Sequence, residues 1–142
     1  MKNEGLEAIQ KIRTVAKGLS RKRSSIYLLL TTIYGFGRKW RKRGQTGEMM
    51  IPIVQQMKRK DRRISKNVFR LLVEEGYSEA NSKLRCRYAN ALCWAYVRDC
   101  PIGELTAFIN NEGGIERCEK KYCAYKRARL LAQPRSKRRT TW

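Results

Sequence analysis

Between Gly35 and Gly44 the sequence reads GFGRKWRKRG, five cations around one tryptophan. Guanidinium groups fork onto the non-bridging oxygens of a phosphate, and lysine adds a compact point charge beside them. The chemistry open to Arg38, Lys39, Arg41, Lys42 and Arg43 is therefore anion capture. Trp40, set among them, has two uses open to it: stacking on a base or sugar, or anchoring its helix against the core. Two further runs carry the same chemistry, Arg21-Lys22-Arg23 and the segment after Pro134 with Arg135, Lys137, Arg138 and Arg139.

The stretch PIGELTAFINNEGGIERCEKKYCAYKRARL has a more definite outline. A short amphipathic segment meets a Gly-Gly turn and then a second helical pattern. Ile115, Cys118 and Tyr122 fall on one side of that second pattern. Arg117, Lys120 and Lys121, with the small residues Ala124 and Ala128, fall roughly on the other. A face of small residues studded with long cations can approach DNA closely, and the outline suits a helix-turn-helix whose second helix enters the major groove. A bundle hairpin with a basic face has the same outline.

Other chemistries find little to work with. The chain has no histidine, the commonest general base and metal ligand. GFGRKW is not a GxxxxGK[ST] phosphate loop. The acidic residues are scattered, and the Glu74-Glu75 pair reads as a solvated helix end. No catalytic group is assigned, and no enzyme is expected. Cys86, Cys93 and Cys100 are seven apart and Cys118 and Cys123 five apart. Seven residues of helix span about 10 Å, too far for one zinc ion, which needs about four converging ligands. The expectation is reduced, mostly buried thiols with no metal, no disulfide and no cofactor.

Thirty-three Lys and Arg oppose twelve Asp and Glu, a net charge of +21. Self-repulsion of that size opposes compaction unless something negative neutralises it. Residues 1–43 carry 12 basic and 2 acidic side chains, residues 76–111 carry 4 and 3, and residues 112–142 carry 10 and 3. The middle reads as scaffold and the ends as contact surfaces. The expected partner is nucleic acid, duplex DNA ahead of structured RNA, with an acidic protein surface as the third reading. The expected role is that of a transcription regulator or an accessory factor of a mobile element. The apolar run IYLLLTTIYGF is too short to cross a bilayer and lacks a small-residue cleavage site. The expectation is therefore a cytoplasmic protein, nucleoid-associated in a bacterial cell, and not secreted.

Helices must position these groups, since strand alternation and hairpin turns are scarce. Hydrophobic content of 42% suffices for a core. Residues 4–17 space Leu6, Ile9, Ile12 (or Arg13) and Ala16 three to four apart, with Gly18 as a stop. Ser24 or Ser25 can cap a second helix whose stripe is Ile26, Leu29, Leu30, Ile33, Phe36 or Gly37, and Trp40, closed by Gly44. Residues 49–60 read as a weaker helix with Pro52 near its first turn. Ser65 can cap the next, which carries Val68, Leu71 and Leu72. The strongest pattern runs from about 78 to 99. It is apolar on two opposite sides, Leu84, Tyr88, Ala91, Leu92 and Ala95 against Cys86, Ala89, Cys93 and Val97, as in the central helix of a bundle. A short helix through Ile102, Leu105, Phe108 and Ile109 and a last one over 115–131 complete the set. The fold class expected is all-α: a single domain over 1–133 of about six helices around the buried helix at 78–99, its N-terminal part (1–75) basic and its middle near neutral. A basic flexible tail follows at 134–142.

Overall fold

The computed structural model describes residues 4–19, 23–55 and 67–133. The described residues form seven α-helices joined by short connections, with no strand: α1 (Glu4–Lys17), α2 (Arg23–Lys42), α3 (Thr46–Gln55), α4 (Val68–Gly76), α5 (Ser82–Val97), α6 (Leu105–Asn111) and α7 (Ile115–Ala132). A 3₁₀ turn at Ile102–Glu104 leads into α6. The architecture is a compact all-α domain.

The stripes that periodicity marks are the ones buried. In α1, Ala8, Ile9, Ile12 and Ala16 face inward. In α2, Leu29, Leu30, Ile33, Gly37 and Trp40 do so, and Phe36 is only partly covered. Two tyrosines widen that stripe. The Tyr34 hydroxyl donates to the Cys100 carbonyl at 2.6 Å, and the Tyr27 hydroxyl donates to Asn110 Oδ1 at 3.1 Å. Buried phenols need such partners, because an unsatisfied hydroxyl is costly in an apolar setting. As a result α2 meets α1, α3, α4, α5, α6 and the 3₁₀ turn. Gly37 makes the crossing with α4 possible: a Cβ there would lie 2.6 Å from Phe69 Cδ1, inside any real carbon contact.

Three element starts differ from the sequence expectation. α5 begins at Ser82 and not at about residue 78, because the Asn81 side chain accepts from the Leu84 N–H and caps the helix there. α4 begins at Val68, with Asn67 accepting from the N–H groups of Phe69 and Arg70; the alternative cap Ser65 lies outside the described residues. α3 begins at Thr46, three residues before Met49, so Pro52 stands inside the helix and not in its first turn. The Gln45 carbonyl accepts from the Met49 N–H at 3.0 Å and opens that helix. Residues 56–60, assigned to the same helix from sequence, are outside the described residues.

Cys86 and Cys123 are half-buried, whereas Cys93, Cys100 and Cys118 are buried. Cys100 lies beyond the end of α5, so it does not share a helix face with Cys86 and Cys93. Burial raises the pKa of all three inner thiols and pushes Cys118 up to about 11, with Glu112 adding to the effect. The thiolate is the reactive form, so these three should react slowly. Titration of the native protein with an aromatic disulfide reagent at pH 8 is expected to show two fast thiols, and all five only after unfolding. Five equal rates in the native protein would contradict this burial.

Candidate nucleic-acid interface

The knot at the end of α2 does not present five free cations. Lys39 Nζ lies 2.8 Å from Glu4 Oε1, and the Trp40 indole N–H donates to the other oxygen of the same carboxylate at 3.2 Å. These bonds, the Lys39 hydrogen bond foremost, hold the Glu4 carboxyl below its ordinary pKa. Arg38 and Lys42 share Asp99 at 3.3 and 2.8 Å. Arg41 lies over the Tyr96 ring, 4.3 Å from its centroid. Arg43 is exposed and makes no ion pair among the described residues.

Trp40 itself is fully buried, at 0% exposure, with Phe36 beside it at 5.8 Å between ring centroids. Of its two uses, the structure therefore selects the anchor. A base has no ring face to stack on, and base stacking by Trp40 is withdrawn. Phase explains the placement: Trp40 falls four residues after Phe36 and seven after Ile33, on the stripe that α2 turns inward.

Around the turn of Glu112, Gly113 and Gly114, α6 hands over to α7. Both glycines have positive φ, 104° and 107°, in a region that L-residues seldom enter. A side chain at Gly113 would also strike Arg117, whose Cγ would stand 2.9 Å from the new Cβ. Glu112 accepts from the Trp94 indole N–H at 2.6 Å and from Lys121 Nζ at 3.1 Å. The Trp94 bond, ahead of Lys121, lowers the pKa of that carboxyl. This carboxylate therefore ties the turn to both α5 and α7.

α7 packs mainly on α5. Cys118 is buried, and Ile115 and Tyr122 are partly covered, so they form the inner side as the sequence implies. Arg117, Lys120, Lys121, Ala124, Arg127 and Ala128 are exposed along the outer side. Among the described residues only Lys121 of that outer set makes an ion pair. Arg117, Lys120 and Arg127 make none, with Glu116 exposed beside them one turn before Lys120.

One feature of α7 went unread in the sequence. Tyr122 and Tyr125 stack at 6.2 Å, Trp94 meets Tyr125 edge-on at 6.1 Å, and each of these rings carries a cation: Lys126 over Tyr122, Arg129 over Tyr125 and Arg98 over Trp94. The signal was present as YCAYKRAR, two tyrosines three apart, each followed four residues later by a cation on the same helix face. The Asn67 amide donates to the buried Cys93 Sγ of α5 at 2.9 Å. Arg41 and Lys126 both lie near enough to favour the Cys93 thiolate, although burial outweighs them. Arg41 at the end of α2 and Lys126 in the middle of α7, far apart in sequence, thus both act on Cys93 of α5.

Arg21, Lys22, Arg135, Lys137, Arg138 and Arg139 lie outside the described residues, as does the tail at 134–142 assigned from sequence; Arg23 opens α2. No family model matches the chain, and no curated protein or solved structure proved similar to it. Among the described residues, no helix is long and apolar enough to cross a membrane, and no three Cys, Asp or Glu side chains converge to hold a metal ion.

Proposed function

We propose that this protein binds nucleic acid, duplex DNA in the first place, with the outer side of α7 as the principal contact and the end of α2 as a second one. The observation that carries this reading is the set of exposed cations on α7, Arg117, Lys120 and Arg127, none of which forms an ion pair among the described residues; the exposed Glu116, one turn before Lys120, is the acid beside them. Neutralised charge on a protein surface is ordinary, and most of the knot on α2 is of that kind. Cations without an ion pair along one helix face, interleaved with alanine, suit a close approach to phosphate. The turn at Gly113 and Gly114 sets that face at the start of α7, which supports a helix-turn-helix reading in which Arg117 reaches base edges. Regulation of transcription, or service to a mobile element, is the role this reading suggests.

The test separates a sequence-reading helix from a phosphate clamp. A site is first selected from a random duplex library. Arg117→Ala should then cost about 1–3 kcal/mol on that site and less on a scrambled one. Arg41→Ala should weaken both about equally and flatten the salt slope by about one unit. If the two variants behave alike, α7 is one more phosphate clamp and the helix-turn-helix part of the reading fails. A structured RNA that outcompetes the duplex at matched salt would move the reading to RNA. Loss of all nucleic-acid binding at physiological salt, with retained capture of an acidic protein, would move it to a protein partner.

A further inference from the structure

Asp99 is the only non-glycine residue with positive φ, 53°, among the described residues. It stands just past the end of α5, where its N–H bonds the Tyr96 carbonyl and the Cys100 N–H bonds the Ala95 carbonyl, both at 2.9 Å. That pattern is a Schellman motif, and the left-handed position in it belongs to glycine or asparagine by preference. An anion there also faces the negative end of the helix dipole. The positive φ is one that aspartate, like asparagine, can adopt, but the helix dipole disfavours its charge at this site. When a residue stands against a local preference, the reason is to be sought in what its side chain does.

What the side chain does is hold cations. The Asp99 carboxylate, 67% exposed, bridges Arg38 and Lys42, which stand one turn apart on α2. Arg41, between them in sequence, lies over Tyr96, and Lys42 also approaches that ring at 5.6 Å. Lys42, and then Arg38, lower the pKa of the Asp99 carboxyl. Lys42 and Asp99 stand open to solvent, while Arg38 is 23% exposed and reaches the carboxylate through one terminal nitrogen; two cations that converge on one carboxylate present donors that also match the non-bridging oxygens of a phosphodiester.

We propose that the notch between Arg38 and Lys42 is a phosphodiester-binding site that Asp99 occupies in the unbound protein. Asp99 acts as a built-in competitor: a nucleic-acid phosphate must displace its carboxylate to reach both cations. The proposal rests on the nucleic-acid reading above, and it makes Asp99 a brake on affinity. Part of the knot at 38–43 is then held in reserve until a polyanion strong enough to displace the carboxylate arrives.

The experiment titrates full-length protein against a fluorescein-labelled 20-base-pair duplex from 50 to 200 mM KCl. Asp99→Asn removes the charge while keeping a residue that tolerates positive φ. Asp99→Gly is the second variant, should the first fold poorly. Glu79→Gln removes an equal charge from an exposed turn that makes no ion pair among the described residues. Asp99→Asn is expected to bind more tightly at 50 mM and to steepen the log–log salt slope by about one to two units, one for each released cation. Adding Lys42→Gln should take back about one unit, and Glu79→Gln should leave the slope as it was. An unchanged slope in Asp99→Asn, with normal wild-type binding, overturns this proposal alone and leaves Asp99 a structural tie. Absence of wild-type binding at 50 mM overturns the nucleic-acid reading, and this proposal with it.

Discussion

Between 50 and 200 mM salt, the affinity of this protein for duplex DNA is expected to fall by about 10³ to 10⁵. The reason is counterion release. A protein that neutralises about six to ten phosphates frees nearly as many condensed cations from the duplex, and added salt opposes that release. Arg117, Lys120 and Arg127 on the outer side of α7, Lys126 and Arg129 over their tyrosines, and Arg41 over Tyr96 make six candidate contacts with no carboxylate partner among the described residues. Arg38, Lys39 and Lys42 already face Asp99 and Glu4, so they add less to the slope in the unaltered protein. Fluorescence anisotropy at four or five salt concentrations gives the slope. A nearly flat line would contradict a phosphate-dominated contact.

Replacing Trp40 by alanine is expected to destabilise the fold by about 3–5 kcal/mol, the usual cost of emptying a large aromatic site in a core. Trp40 is fully buried, and its indole N–H satisfies Glu4. The substitution opens a cavity at the junction of α2 with its neighbours and leaves Glu4 to Lys39 alone. Trp40→Phe keeps more of the packing and should cost distinctly less. Urea denaturation measures both. The anchor reading also makes a negative prediction: Trp40→Phe should leave duplex affinity unchanged, because a buried ring stacks on no base. A loss of affinity in a stably folded Trp40→Phe protein would restore the stacking role.

The helices were legible because burial imposes a period. The α2 stripe through Leu29, Leu30, Ile33 and Trp40, and the α7 inner side through Ile115, Cys118 and Tyr122, follow from spacing alone. Helix starts were less legible. Serines at 65 and 78 and asparagines at 67 and 81 are all competent caps, and only the local backbone decides which side chain reaches the free N–H groups. In α4 and α5 the asparagines do. The least legible feature was the fate of the charge. Lys39 meets an acid 35 residues away and Arg38 one 61 residues away, separations at which no periodicity speaks. A run that looked uniformly available is therefore largely committed inside the fold. On α7 the outer cations Arg117, Lys120 and Arg127 form no ion pair among the described residues: Glu119 is drawn to Arg87 and Glu112 to Trp94 and Lys121, which leaves Glu116 as the exposed acid near them.

The central claim is that α7 offers its outer side to nucleic acid. It is tested most directly by replacing Arg117, Lys120 and Arg127 together with glutamine. Glutamine keeps helix propensity and a polar, unbranched side chain while removing three exposed charges, so the fold should survive, as circular dichroism and thermal melting will verify. Wild-type and triple-variant proteins are titrated against the same labelled duplex at 100 mM salt. A folded variant whose affinity has dropped by about 100-fold or more is the predicted result, since each lost phosphate contact removes its share of counterion release. A folded variant that binds the duplex as tightly as the wild type would contradict the account.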